Sequence, residues 1–399
     1  MRIPYAALLT FLLAAGAAGA QTYDTYEYWL MPHGLVAQNS NLLWNGTTVP
    51  GEHCFWRGTL WGRTVALQGD PSFTSYDLFV DAGTRLEYWA TFRGNRYGAP
   101  VSHSFGSPFF WMNRFMTVGS AMENTLPVKA LDARLRKVAS SGNVTMRLEI
   151  NAHFASWTLP ETGVTYSDVL QVTFWSDRNN PASREVYHLA KGLGTIRFES
   201  SNSGEPSGVR ISWATSFGNK AVSAPALPWF DPFQNTHFVP NGFFEDITAG
   251  VNGGLVSTYL RSWSGTSNDV VITTDGTDPG AGSWKVALRG WAGGGDSAPD
   301  AAVTTAFIPV TPGKIYRLSG WLWRVSASDN VYLDFNDGLG QGGNFADGQA
   351  VATAANTWEL RSVDVQVGPS TTGIKVRCVR DGANSGNGYC DGIQLQRVN

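Results

Sequence analysis

Apolar residues alternate with polar ones in short runs along most of the chain. Arg85 to Phe92 and Val144 to Ile150 are such runs in the first half, and Asn330 to Asn336 is one in the second. A period of two over five to eight residues is typical of strands in a half-buried antiparallel sheet. The pattern therefore predicts an all-β protein.

One segment follows a different period. Val128, Leu131, Leu135 and Val138 recur at steps of three and four residues, and Pro127 stands where the first turn of a helix tolerates proline. This spacing predicts one short helix from Pro127 to Val138.

A proline-rich stretch divides the chain. Pro225, Pro228 and Pro232 lie so close together that this stretch cannot supply a continuous ladder of backbone donors. It is predicted to be a stiff connector, with a boundary near residue 235. Residues 21–235 then form an antiparallel β-sandwich-like domain of unassigned function, and residues 236–399 form a second domain.

The first twenty residues have the pattern of a signal peptide. Arg2 precedes an apolar run from Leu8 to Leu13, and Ala18-Gly19-Ala20 has the small residues of a cleavage site. No later stretch has the length of unbroken apolar sequence that a membrane span requires. We therefore expect a secreted or periplasmic protein that is cleaved after Ala20.

Composition narrows the range of partners. The net charge is −3, which argues against nucleic acid because phosphate binding needs a concentrated basic surface. The chain has 16 tryptophans and 45 glycines but only 15% charged residues. Tryptophan in this excess suits the apolar C–H face of a neutral sugar, so a polysaccharide or cell-wall glycan is the expected partner.

Four motifs of the second domain carry a family resemblance. They are Asn241 to Glu245, Ser283 to Leu288, Val310 to Ser319 with its Pro-Gly turn, and Tyr389 to Asp391. Together they resemble the carbohydrate-binding modules of families 4, 9 and 22. The resemblance implies a galactose-binding-like β-jelly roll that binds polysaccharide and holds a structural calcium ion.

The resemblance also suggests which residues act. Calcium would fall on Glu245 and Asp391, since carboxylate oxygens suit this ion; alternatively, Glu245 is a surface residue and Asp391 bonds a turn. Two indoles on one strand face could stack on sugars, although tryptophans of a sandwich are often core. Trp358 is assigned to the core. The predicted ligand-binding residues are Trp321 and Trp323, with Tyr332 and Asp334 on the next strand, and Trp263 and Trp291 at the rim.

Export bears on the three cysteines, because exported proteins can form disulfides. Cys378 and Cys390 flank a turn, so neighbouring strands could present them to each other as a disulfide; two buried thiols are the alternative. Cys54 stands beside His53, but no third group is visible to orient the histidine, so Cys54 is read as structural.

Catalytic motifs are missing from the first domain. It has no metalloprotease, nucleophile-elbow or phosphate-loop motif. A glycoside hydrolase or polysaccharide lyase in residues 21–235 stays open, because paired carboxylates can be distant in sequence. A non-catalytic cell-surface protein is a further alternative. The candidate carboxylates are Glu52, Asp70, Asp77, Asp168, Asp177 and Glu185.

Overall fold

The computed structural model describes most of the chain after the predicted signal peptide. The described ranges are 21–42, 48–93, 102–131, 138–201, 210–248, 252–265, 270–274, 283–289, 301–336, 348–382 and 386–398. Among these residues, no helix is both long and apolar enough to cross a bilayer.

Fourteen strands make up the described part of the first half. The elements are β1 (Thr22–Asp24), α1 (Tyr26–Trp29), β2 (Leu35–Leu42), β3 (Thr48–Leu60), β4 (Arg63–Gly69), β5 (Tyr76–Asp81), β6 (Arg85–Phe92), β7 (Ser102–Asn113), β8 (Phe115–Thr117), β9 (Ala121–Leu131), β10 (Val138–Thr158), β11 (Thr165–Trp175), a short 3-10 helix (Pro181–Ser183), β12 (Arg184–Ala190), β13 (Gly194–Ser200) and β14 (Arg210–Asn219).

Twelve of these strands close into a barrel in the order β10-β11-β12-β13-β14-β2-β3-β4-β5-β6-β7-β9. The ring closes because β9 pairs with β10, and its first and last parts meet because β14 pairs with β2. The all-β prediction is confirmed. The sandwich-like form expected for this half is realised as one sheet that curls onto itself, not as two separate sheets.

The predicted helix from Pro127 to Val138 is wrong. Residues up to Leu131 belong to strand β9, and Val138 begins β10; residues 132–137 lie outside the described part. Leu126 and Val128 pack in the barrel interior. Lys129 points to the outside, where it donates to the carbonyl oxygen of Asn235. Strand pairing on both sides outweighs the weak helical spacing of these apolar residues.

An apolar plug fills one end of the barrel. Helix α1 carries Tyr28 and Trp29 into the interior, where the Trp29 ring lies 4.9 Å from that of Trp111. Phe109 and Ile150 are fully buried beside them. The segment that follows the predicted cleavage site therefore completes this core.

The proline-rich connector lies against the outside of the barrel. Leu227 and Phe230 are buried on the outward face of strands β3 to β6, in a cluster that includes Trp56 and Cys54. A short ladder of β15 (Phe230–Asp231) and β16 (Thr236–His237) ends it. The exact division into domains near residue 235 stays a prediction.

The second half is a two-sheet sandwich. Its elements are α2 (Val256–Tyr259), β17 (Trp263–Gly265), β18 (Val270–Thr273), β19 (Lys285–Leu288), β20 (Ala301–Thr305), β21 (Ile308–Pro309), β22 (Ile315–Arg324), β23 (Asn330–Asn336), β24 (Ala350–Val351), β25 (Glu359–Gln366), β26 (Gly373–Asp381) and β27 (Gly388–Arg397). One sheet has the order β17-β20-β26-β23-β24 with β21 beside β26, and the other β18-β19-β27-β22-β25. Leu318, Leu322 and Leu333 are fully buried between them. This agrees with the predicted jelly-roll architecture.

The opening stretch of this half meets its last strand through the backbone. The amide of Ile393 donates to the carbonyl oxygen of Gly242 at 2.8 Å. A Cβ atom on Gly242 would lie 2.0 Å from the carbonyl oxygen of Ile393. Glycine is therefore required here for close approach of two chain segments.

Candidate functional site

The outer face of the five-stranded sheet carries a group of large rings. Because Leu318 and Leu322 face the core, Trp321 and Trp323 on the same strand point outward. Strand pairing sets Trp323 opposite Tyr389 of β27 and Trp321 opposite Leu360 of β25. Directly opposite residues share a face of the sheet, so the outward rings come from neighbouring strands.

Three of the rings contact one another in a row: Trp323 meets Trp358 edge to face, and Trp358 lies tilted against Tyr389. The Trp323 and Trp358 ring centroids are 5.7 Å apart at 70°, and those of Trp358 and Tyr389 are 6.4 Å apart. Each of these rings is only partly buried. Leu360 is 56% exposed beside them. We call Trp321, Trp323, Trp358, Tyr389 and Leu360 the aromatic platform.

The predicted core position of Trp358 is wrong, because its ring lies on the outer face of the sheet. It precedes β25, on which Val363 and Val365 face inward and Leu360 faces outward. The alternation along this strand places Trp358 on the same side as Leu360. Its large ring is held there by Trp323 and Tyr389, not by the sandwich interior.

Tyr332 and Asp334 are not near the aromatic platform. They lie on β23, which belongs to the other sheet, because the chain crosses the sandwich after β22. Asp334 is 2% exposed and accepts two hydrogen bonds from the Arg377 guanidinium, at 2.8 and 2.5 Å. Burial raises the pKa of Asp334, and the Arg377 charge opposes that rise. The structure thus separates these residues from Trp321 and Trp323.

The two rim candidates have different outcomes. Trp263 is 5% exposed, packs 5.2 Å from the Phe244 ring and donates its indole N–H to the carbonyl oxygens of Pro240 and Asn241. It is a core residue, because the strand that it begins pairs with β20. Trp291 lies outside the described residues.

Glu245 and Asp391 each accept hydrogen bonds from backbone amides. Glu245 Oε1 accepts hydrogen bonds from the backbone N–H groups of Ser283 and Trp284, at 2.5 and 2.8 Å. Asp391 is 1% exposed and accepts from the N–H of Gly392 at 2.6 Å. Calcium takes six to eight oxygens from carboxylates, carbonyls and water; the described residues contain no group of three or more His, Cys, Asp or Glu side chains that could hold a metal ion. Calcium binding stays a prediction from the resemblance.

Cys378 and Cys390 face each other through the core rather than along one ladder. Cys378 lies on β26 and Cys390 on β27, in opposite sheets, and both are buried free thiols. Burial and the hydrogen bond to Cys378 hold the pKa of Cys390 well above its usual range. The expectation that adjacent strands present them is wrong, whereas their proximity is real. Cys54 is buried on the barrel's outer side, where burial raises its pKa to about 12, as expected of a structural thiol.

Three of the candidate carboxylates, Glu52, Asp70 and Asp177, bond to nearby protein groups. Asp177 accepts from a turn amide, and Glu52 pairs with Lys220 at 2.8 Å. Asp70 accepts from the Ser72 and Thr74 hydroxyls and from nearby amides; burial opposes the fall in its pKa, but these bonds lower it overall. A groove of about 800 Å³ runs over Glu52 and Asp70 on the barrel's outer side. Its carboxylates are thus already satisfied by the protein.

Asp168 joins the N-terminal segment to the barrel. Its Oδ1 accepts from the Tyr28 hydroxyl at 2.5 Å and contacts His153 Nε2 at 2.7 Å, and Lys191 lies 3.7 Å from Oδ2. Burial alone would raise the pKa of Asp168, but these partners lower it overall. The group therefore stays charged and holds α1 in the barrel.

Comparisons with known proteins give low similarity throughout. No protein-family model and no characterised protein sequence matches the chain. A carbohydrate-binding module, TmCBM61, solved with β-1,4-galactotriose, is 17% identical with a TM-score of 0.28 and covers 40% of this chain and 97% of its own. A family 16 carbohydrate-binding module has 16% identity, a TM-score of 0.27, and coverage of 40% and 99%. A family 22 module of a Clostridium thermocellum xylanase has 15%, 0.26, and 40% and 95%. The function must therefore be argued from the residues of this chain.

Proposed function

We propose that this chain is an exported protein that binds a neutral polysaccharide through the aromatic platform. The observation that carries the proposal is a cluster of partly exposed rings, drawn from adjacent strands and arranged on one sheet face. Soluble proteins rarely keep a contiguous apolar patch exposed unless it serves as an interaction surface.

The chemistry of the platform suits a sugar chain. The apolar C–H face of a pyranose stacks on an indole, and the Trp323 and Trp358 rings, 5.7 Å apart and steeply inclined, offer two differently oriented walls. Asn387 donates to the Tyr389 hydroxyl at 3.3 Å and adds a polar group at the edge.

Charge on this face is balanced. Arg317 and Asp364, which share the outward side of β22 and β25, form a two-bond pair at 2.7 and 2.8 Å. A compensated pair does not attract a charged polymer strongly, so the face favours a neutral glycan over an acidic one.

Affinity electrophoresis of the mature protein through gels containing glucans, xylans or mannans tests the proposal. At least one polymer should retard the wild type, and Trp323→Ala with Trp358→Ala should lose about 2 kcal/mol of binding, or about thirty-fold in affinity. Phe307→Ala is the matched control, because Phe307 is 52% exposed in the same half but away from the platform. Unchanged retardation of the double variant with an intact circular dichroism spectrum, or no retardation of the wild type by any polymer, would refute it.

A further inference from the structure

The barrel interior has a polar end opposite the apolar plug. Strand register brings polar residues to this end of the barrel. Gln68 pairs with Asp77 of β5. On the opposite wall, Glu185 pairs with Ser200, and Ser200 pairs with Arg210. These positions share the inward face with buried residues such as Phe79 and Leu189. We call Gln68, Asp77, Arg93, Glu185, Tyr187 and Arg210 the polar lumen.

Side chains from opposite walls meet in this space. Asp77 Oδ1 accepts from Arg93 Nη2 at 2.8 Å and from the Tyr88 hydroxyl at 3.1 Å. Glu185 Oε2 accepts from the Tyr187 hydroxyl at 2.6 Å. Glu185 on β12 also lies within electrostatic range of Asp77, Arg93 and Arg210. Strands β5, β6, β12 and β14 therefore converge on one charged centre.

Two polar atoms of the lumen lack a partner among the residues that the structure describes. One end of the Gln68 amide bonds the His53 ring at 2.9 Å, but its other end has no partner among the described residues, although Gln68 is only 6% exposed. Nε of Arg210 is equally unpartnered. A buried polar group left unsatisfied costs about 1–3 kcal/mol. Such atoms bond ordered water or a bound ligand.

Solvent reaches this end of the barrel. The Arg93 side chain is 36% exposed and that of Asp77 is 25% exposed, although both face the barrel interior. Inward-facing side chains with this much exposure line an opening into the barrel. An eight-stranded barrel has room for packed side chains or one small ligand, and the diameter grows with the number of strands. This barrel has twelve strands and is therefore wider.

We propose that the polar lumen is a second binding site, for a mono- or disaccharide. Asp77 and Glu185 supply acceptors, Arg93 and Arg210 supply donors, and the Tyr187 and Phe198 rings, 5.0 Å apart, supply an apolar wall. Two carboxyls beside two guanidiniums leave little net charge, which suits a neutral hydroxylated ligand. Burial raises the pKa of Glu185, and the hydrogen bond from Tyr187 and the charges of Arg210 and Arg93 oppose that rise. The site shares no residue with the aromatic platform.

Isothermal titration of the mature protein with glucose, galactose, xylose, mannose, arabinose and their β-1,4-linked disaccharides tests this site. At least one sugar should bind, and Arg210→Met and Glu185→Ala should each weaken it at least ten-fold. One control variant should bind as the wild type does: Glu123→Gln removes an exposed outer-face carboxylate that pairs with Arg147. Trp323→Ala, which removes a platform ring, is measured beside it to show which of the two sites a sugar occupies.

The outcomes separate this site from the platform. Loss of sugar binding in Trp323→Ala but not in Arg210→Met would overturn the lumen site and leave the platform. Absence of binding by the wild type to every sugar, or equal affinity of wild type and Arg210→Met, would also overturn it. If thermal denaturation shows that Glu185→Ala does not fold, Arg210→Met carries the test, because in that variant Glu185 keeps its hydrogen bond from Tyr187 and the nearby charge of Arg93.

Discussion

Replacing Arg380 with methionine should lower the free energy of unfolding of the sandwich half far more than a comparable replacement on its surface. Arg380 Nη2 donates to Asp329 Oδ1 at 3.0 Å, and the two side chains are 4% and 0% exposed. Methionine keeps much of the side-chain volume but leaves the Asp329 carboxylate buried without its cation. Removing one member of such a pair costs about 3–5 kcal/mol.

The pair also fixes the corner beside the aromatic platform. Arg324, which follows Trp323, donates to the main-chain oxygen of Asp329 at 3.2 Å. The carbonyl of Arg324 in turn accepts from the amide of Asn356, two residues before Trp358. Loosening Asp329 should therefore lower glycan affinity as well as stability.

Urea unfolding followed by tryptophan fluorescence measures the effect, and the chain contains a matched control. Arg317 pairs with Asp364 with similar chemistry, but these side chains are 46% and 44% exposed, so Arg317→Met should cost less than about 1 kcal/mol. Asp329→Asn added to Arg380→Met should recover part of the loss, because the unpaired charge is gone. Equal destabilisation by Arg380→Met and Arg317→Met, or no recovery in the double variant, would refute the reasoning.

Three further predictions follow from contacts described above. Thiol titration of the denatured exported protein should find one reactive thiol, Cys54, because Cys378 and Cys390 meet in the core and an oxidising compartment should join them; three thiols would contradict this. Asp168→Asn should cost about 1–2 kcal/mol at neutral pH, discounted for partial exposure. Because the pKa of Asp168 is lowered on folding, its contribution to stability is present above about pH 4 and is lost as the pH falls. The difference in stability between wild type and Asp168→Asn, measured over a pH series, should therefore disappear in acid. Gly242→Ala should lower the melting temperature by several degrees, since its Cβ would strike a carbonyl oxygen of the last strand; an unchanged melting temperature would show that the segment shifts freely.

The alternation of apolar and polar residues predicted the strands and the faces of their side chains, which depend on residues close in sequence. The period of two located most strands, and it placed Trp321 and Trp323 on one face because Leu318 and Leu322 occupy the other. It could not show that β22 and β23 lie in different sheets, so Tyr332 was grouped with the wrong surface. A crossover between sheets leaves no mark on the alternation itself.

Long-range pairing accounts for the rest. Asp77 and Glu185 were visible as carboxylates, but only barrel closure brings them to one centre. Glu245 matched a family pattern in type, yet its carboxylate bonds the start of β19, a partner 38 residues away. Residue type indicates what a side chain can bind, whereas the partner that it meets depends on the fold.

Barrel closure has a consequence for self-association. A ring of paired strands has no edge strand at which another copy could extend the sheet, although the first part of β10, up to Met146, pairs only with β9. The sandwich sheets do end, in β17, β24 and β18, which are two to four residues long, and in β25, which has eight. Charged Arg361 and Asp364 interrupt β25, the usual protection of an exposed edge. Among the described strands that end the two sandwich sheets, β25 is therefore the long edge available for strand addition, and it borders the aromatic platform.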